Sequence, residues 1–204
     1  MFFNNSLENQ LQQWNVTISK NPHDPKFYVR RGMIYFQLGQ IPESIEDFDQ
    51  AENLDPTITP YLWQRGLSYY YADRFVDGAK QFEIDLTVNS QDVEETVWRY
   101  LCIARSSGVH SARNSLLSVK NDPRKIMGYI YDLFAGNCTV EDVLNVGKMQ
   151  GLKGKFYSHL YVGLYYESQD NSQLAQDYII QAADNYKIDD YMWYLSVVHK
   201  NLRS

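Results

Sequence analysis

Four histidines, His23, His110, His159 and His199, are the first residues in this sequence that could hold a metal ion. A helical or finger-type site places a second His or Cys three or four residues away, so that both ligands reach one ion. None of the four has such a neighbour. Cys138 stands in the run Gly136-Asn137-Cys138-Thr139, just ahead of an expected helix whose dipole would lower a thiol pKa. No accompanying His and carboxylate can be picked out to make it a nucleophile. Cys102 falls on an apolar helical stripe, where a free cysteine acts as a small hydrophobe. The stretch from Gly147 to Lys155 carries three glycines and three lysines and suggests a phosphate loop. The spacing fails: for Gly154-Lys155 the first glycine would have to be at Met149, and Phe156 replaces the required Ser or Thr. A flexible inter-helix connection is the expectation there. The acidic pairs Glu94-Glu95 and Asp189-Asp190 sit at helix starts, where negative charge offsets the helix dipole, so they are not read as a catalytic dyad. The sequence therefore predicts no catalysis, no cofactor and no metal.

The elements that carry these residues follow a repeat. Sliding the chain by 34 residues aligns Gly32 with Gly66, Tyr35 with Tyr69, Phe48 with Phe82, Arg31 with Arg65 and Leu54 with Val88. The residue types fit two antiparallel helices. Gly32 lets a partner helix approach closely, Gly39 ends the first helix, and Ile41, Ile45, Phe48 and Ala51 continue at helical spacing until Leu54-Asp55-Pro56. Between residues 90 and 155 the helical period persists without the signature. Asp92 with Glu95 opens a helix through Trp98 that Gly108 ends, and Ala112, Leu116 and Val119 predict a second, short one. Asp122-Pro123 reads as a cap before a helix ending at Gly136, Thr139 and Asp142 open another, and Gly147, Gly151 and Gly154 mark its loosened exit. A last helix is expected from about Asp189 to Asn201.

Residues 25–58, with Tyr28, Gly32, Tyr35, Gly39, Phe48, Ala51 and Pro56, resemble a tetratricopeptide repeat, the 34-residue helix-turn-helix family. Residues 59–92 keep Gly66, Tyr69, Phe75, Ala79 and Phe82, and residues 156–189 keep Gly163, Tyr166, Ala175, Ile179 and Ala182. Leu7, Leu11, Trp14 and Pro22 match the second half of a repeat, so residues 1–24 are expected to be a half-repeat N-terminal cap. The resemblance implies an all-α right-handed superhelix of about twelve helices. One domain is expected over residues 1–204, with degenerate helical pairs over 93–155 and a capping helix over 190–204. The helix order, with Val97-Trp98-Arg99-Tyr100-Leu101 and Tyr131-Asp132-Leu133-Phe134 in its middle, resembles that of NlpI-type tetratricopeptide adaptor lipoproteins. No signal peptide or lipid-attachment cysteine accompanies it, so only the architecture and the adaptor role are carried over.

Composition narrows the partner. Nineteen Lys and Arg against 25 Asp and Glu leave a net charge of -6, which opposes nonspecific binding to nucleic acid or anionic lipid despite local basic residues such as Arg30, Arg31 and Arg65. No window approaches a membrane span, and a cytoplasmic address is expected. Aromatic residues make up 15% of the chain, a surplus that has to serve core or binding. By the family's register, the inward positions are Lys26, Val29, Met33, Phe36 and Gln37, then Pro60, Trp63, Leu67, Tyr70 and Tyr71, and after them Glu94, Val97, Leu101 and Arg105. The expected protein- or peptide-binding set is Val29, Met33, Phe36, Gln37, Trp63, Leu67, Tyr70, Tyr71, Val97, Leu101 and Arg105, with Trp63, Tyr70 and Tyr71 exposed together in an aromatic groove. The family's carboxylate clamp needs Lys and Asn, then Lys and Arg, at inward positions. Here Val29, Met33, Glu94 and Trp98 replace them, which disfavours that subclass. The resulting expectation is a noncatalytic adaptor or scaffold. The alternative is a homodimeric structural repeat protein with a self-filled groove, assembled through Trp14, Trp193 and the terminal helices.

Overall fold

The computed structural model describes residues 2–120 and 122–203, with side chains from Asn5 onward. Those parts of the expected spans that fall on residues 1, 121 and 204 lie outside the described residues. Among the described residues twelve α-helices and one short 3₁₀ helix succeed one another, and no strand occurs. The chain divides into two compact units, Met1–Val88 and Asn89–Ser204.

The first unit holds α1 (Phe2–Lys20), α2 (Pro25–Gln37), α3 (Ile41–Leu54), the 3₁₀ helix Pro56–Tyr61, α4 (Trp63–Tyr71) and α5 (Phe75–Asp85). Local chemistry sets these boundaries. Asp24 accepts the Lys26 N–H at 3.0 Å and Pro25 opens α2 with its fixed φ. Gly39, at φ +75°, turns the chain out of that helix. Asp55 accepts from both the N–H and the hydroxyl of Thr57, at 3.0 and 2.6 Å, and starts the 3₁₀ helix. Pro60 lies inside that helix, where it has no N–H to continue a ladder, so α4 begins only at Trp63 and runs nine residues. The helical period gives no sign of this extra turn; Pro60 is its one mark in the sequence.

Within each pair, helices meet at a glycine. A Cβ built on Gly32 would lie 3.3 Å from the Phe48 ring, on Gly66 2.6 Å from the Phe82 ring, and on Gly163 2.8 Å from Ile179. In all three cases the partner is sixteen residues on, and no larger residue fits without movement. An arginine follows the same rule. Arg31 donates twice to the Asp47 carboxylate at 2.7 Å, Arg65 donates to Gln81 Oε1 at 2.8 Å, and Arg99 donates to the Ser115 carbonyl at 2.9 Å. The 34-residue period thus continues to Arg99, one repeat beyond the alignment read from the sequence.

The second unit holds α6 (Val93–Ser107), α7 (Val109–Asn114), α8 (Lys125–Ala135), α9 (Val140–Met149), α10 (Gly151–Ser168), α11 (Ser172–Asn185) and α12 (Tyr191–Leu202). Tyr100 occupies the position of Gly32 and Gly66 two and one periods earlier. Its ring is fully buried and packs edge-on to Phe134 of α8, with centroids 5.1 Å apart. A ring there leaves no room for a second helix at glycine distance, and α7 is only six residues long. The helix expected through Leu116 and Val119 therefore stops at Asn114. Asp122 caps nothing at Pro123; its carboxylate accepts from the Arg124 backbone, and α8 starts at Lys125.

The glycine stretch is a tight corner instead of a flexible connection. Helix α9 runs to Met149, Gly151 takes φ +69°, and α10 starts at once. A Cβ on Gly147 would come within 2.7 Å of the Gly154 carbonyl and 2.3 Å of Ser158 Oγ, so these glycines are a helix crossing. None of the described helices is long and apolar enough to cross a membrane.

Candidate functional site

Helix α2 presents Lys26, Val29, Arg30 and Met33 at spacings of three, one and three, the pattern of a single helical face. Opposite it lies the 3₁₀ helix, whose threefold period puts Ile58 and Tyr61 on one edge. Leu62 and Gln64 close the floor. Together these residues line a cleft of about 330 Å³ within the first unit. Leu62 is buried, Val29, Met33 and Ile58 are half-buried, and Tyr61 is 65% exposed. Gln64 reaches across the floor and donates through Nε2 to the Met33 sulfur at 3.8 Å. Its Oε1 is buried and has no hydrogen-bond partner. Lys26 and Arg30 are exposed at the rim, and no carboxylate lines the cleft.

Of the residues expected to bind, Val29 and Met33 are brought together here. Gln37 and Trp63 are half-buried and line no part of this cleft. Phe36, Leu67 and Tyr70 have no exposed surface, and Tyr71 has 8%. The expected exposed set of Trp63, Tyr70 and Tyr71 therefore does not exist. Tyr70 packs edge-on against Tyr71 and Phe75, at centroid distances of 5.5 and 5.4 Å, and Phe36 meets Tyr71 at 5.6 Å. These rings are core because α4 is buried on every side from Gln64 to Tyr71, its polar Gln64, Arg65 and Ser68 included. In the second unit Val97 and Leu101 are wholly buried, and Arg105 donates to Glu167 at 3.0 Å in a cleft lined also by His199 and Lys200. The aromatic that borders the first-unit cleft is Tyr61. It escaped the sequence reading because the Pro60 break shifts it off the helical register.

The other chemical candidates have structural roles. Burial, with Asp132 and Asp142 nearby, pushes the Cys138 thiol up to about 11, and its Sγ donates to the Tyr129 carbonyl at 3.4 Å. The helix dipole thus does not lower it. Burial alone raises the Cys102 thiol. Glu94 accepts from the Tyr161 hydroxyl at 2.8 Å and pairs with Arg124; burial raises its carboxyl, and the Arg124 charge opposes that rise. Arg65 is 5% exposed, pairing with Glu52 at 2.7 Å and Asp49 at 3.0 Å, so it presents no free basic surface. Trp14 packs on Phe27 at 5.9 Å, and Trp193 donates to the Ala183 carbonyl at 3.0 Å. Among the described residues no group of three or more His, Cys, Asp or Glu is placed to hold a metal.

Paired helices closed on glycine, repeated at a fixed period and carrying a side-chain-lined cleft, define a helical repeat protein. Residues 25–58 match the family model described as tetratricopeptide repeat. Its fold is similar to the crystal structure of a tetratricopeptide repeat protein from Parabacteroides merdae, with a TM-score of 0.59 and 15% identity over 98% of this chain and 78% of that one. In sequence it is similar to the Hsp70-Hsp90 organizing protein of Triticum aestivum, 24% identical over 94 residues, 46% of this chain and 16% of the relative. It is also similar to the Bos taurus protein SGT1 homolog, 21% identical over 98 residues, 48% of this chain and 29% of the relative. A third relative is the U-box domain-containing protein 70 of Oryza sativa subsp. japonica, 28% identical over 112 residues, 53% of this chain and 14% of the relative. The chain thus spans under a third of the length of these relatives.

Proposed function

We propose that the protein is a noncatalytic interaction adaptor that holds a segment of a partner protein in the cleft between α2 and the 3₁₀ helix. The observation that carries this reading is an exposed tyrosine, Tyr61, bordering a cleft lined by Val29, Met33, Ile58 and Leu62 on a repeat scaffold. Burying a large aromatic whose hydroxyl stays near water is the usual anchor of such contacts. Val29 and Met33 are the partner-facing members of the set expected from sequence. Phe36, Leu67, Tyr70 and Tyr71 act beneath them as the rigid support. The relatives' names, Hsp70-Hsp90 organizing protein among them, support a role in bringing proteins together. The free thiols of Cys102 and Cys138 fit a reducing, cytoplasmic setting.

Capture from a native lysate tests it, with wild type beside a Tyr61→Ala/Met33→Ala variant whose helical circular dichroism matches. A protein retained by wild type and lost with the variant supports the reading. Identical captures overturn it. Capture of this chain's own copies only, with a melting midpoint that rises with protein concentration, would replace it by self-assembly.

A further inference from the structure

The two clefts differ in how their charges are satisfied. In the second unit the cations are already matched, Arg105 by Glu167 at 3.0 Å and Lys200 by Asp184 at 2.6 Å. In the first unit the neighbouring Arg31 is likewise held by Asp47 at 2.7 Å. Lys26 and Arg30 are different. Both are exposed on the α2 face that carries Val29 and Met33, and no acidic residue lines the cleft they border. A protein of net charge -6 therefore presents two cations beside an apolar cleft. At about 330 Å³ the cleft is near the lower end of ligand pockets, room for one large side chain and its backbone and too little for a helix. Gln64 closes its floor, donating through Nε2 to the Met33 sulfur at 3.8 Å.

Resting on the adaptor reading above, we propose that the partner segment is an extended, internal stretch carrying one bulky apolar residue next to acidic ones. The apolar side chain enters between Met33, Ile58 and Tyr61. The flanking carboxylate pairs with Lys26 and Arg30. Charge at a free chain end is not part of the recognition.

The test is fluorescence anisotropy on the full chain with labelled nonapeptides, acetylated and C-terminally amidated, bearing a central Leu-Phe between Asp and Glu. Three comparison peptides replace the acids by Asn and Gln, replace Leu-Phe by Ser-Ser, or carry a free carboxylate end. The expected result is that losing either the acids or the apolar pair weakens binding about ten-fold or more, while freeing the end changes nothing. The Lys26→Gln/Arg30→Gln variant, altered only at exposed positions, is expected to bind the acidic peptide no better than the neutral one. Raising salt is expected to narrow the difference between peptides in wild type. Equal binding of acidic and neutral peptides, indifference to the two cation changes, or no binding of any peptide overturns the inference. If neutral and acidic peptides bind alike and both are lost in Tyr61→Ala, the charge inference falls and the adaptor reading stands. If Tyr61→Ala/Met33→Ala also leaves lysate capture unchanged, the adaptor reading falls with it.

Discussion

Two glycines in this chain are expected to respond oppositely to the same methyl group. Gly66 faces the Phe82 ring, and a Cβ there would lie between 2.6 and 2.9 Å from three ring carbons. Gly66→Ala is therefore expected to destabilise the fold by about 1–3 kcal/mol, through a displaced ring or helix. Gly128 sits in α8 with nothing within 4 Å of its would-be Cβ, and Gly128→Ala is expected to stabilise by about 0.5–1 kcal/mol through helix propensity. Urea denaturation of the two variants beside wild type checks both signs. Asp85 supplies a pH-dependent counterpart. It is 1% exposed, accepts from Gln81 on one oxygen and has no partner on the other; burial pushes its carboxyl up to about 7, against the Gln81 hydrogen bond and the Arg65 charge. Between the ordinary value of 3.8 and about 7 the folded chain holds a proton that the unfolded chain has released. Its contribution is thus full below about pH 4 and lost as pH rises through about 7. The melting midpoint of Asp85→Asn relative to wild type is expected to shift in the variant's favour from about pH 5 to pH 8; a difference constant with pH would show that Asp85 does not titrate there. At this scale the sequence was partly legible. Gly32, Gly66 and Gly163 announced close contacts because only glycine serves there, whereas nothing in the type or spacing of Asp85 or Gln64 marked an unpaired buried oxygen.

Helix existence was readable from period and caps, and helix ends were readable only where one residue dictates them. Gly39 ends α2 and the Thr139–Asp142 capping box opens α9, both as expected. Pro60 was decisive and was missed, because a proline near an expected helix start is ordinarily harmless and here ends a 3₁₀ turn. Its consequence reaches the candidate site: Tyr61 replaces Trp63 as the aromatic beside Val29 and Met33. The glycines between α9 and α10 were misread in the other direction. Spacing alone does not distinguish a loose loop from two helices crossing at their glycines, and the contacts of Gly147 with Gly154 and Ser158 decide for the crossing. Gly147→Ala is expected to force that crossing apart. Hydrogen exchange should then quicken in α9 and the first turns of α10, with amides of α2 and α3 in the other unit unchanged. Uniform acceleration through both units would mean that the crossing is not a local element of stability.

For the whole chain, the 34-residue period shows in residues that serve different purposes. The glycines set how closely helices approach, the arginines at 31 and 65 tie each first helix to its second while Arg99 holds the Ser115 carbonyl just past α7, and six of the inward positions, Phe36, Leu67, Tyr70, Tyr71, Val97 and Leu101, have become core. Partner surface could not be read from register alone, since burial of Phe36, Leu67, Tyr70 and Tyr71 depends on how far each helix runs. The first unit carries its own ion pairs, glycine contacts and buried rings, including Phe48 and Phe82 with no exposed surface. A fragment ending at Val88 is accordingly expected to keep helical circular dichroism and a cooperative melt; a noncooperative melt would show that this unit does not fold alone. The tyrosine at position 100 has a further consequence. By shortening α7 it leaves residues 115–120 outside any helix, with Leu117, Ser118 and Lys120 exposed. A protease needs non-helical residues to seat a chain, and this stretch, exposed at Leu117, Ser118 and Lys120 and buried at Val119, offers them next to a lysine. In a brief digestion of the native protein, trypsin should cut after Lys120 before it reaches the lysines inside α9 and α10.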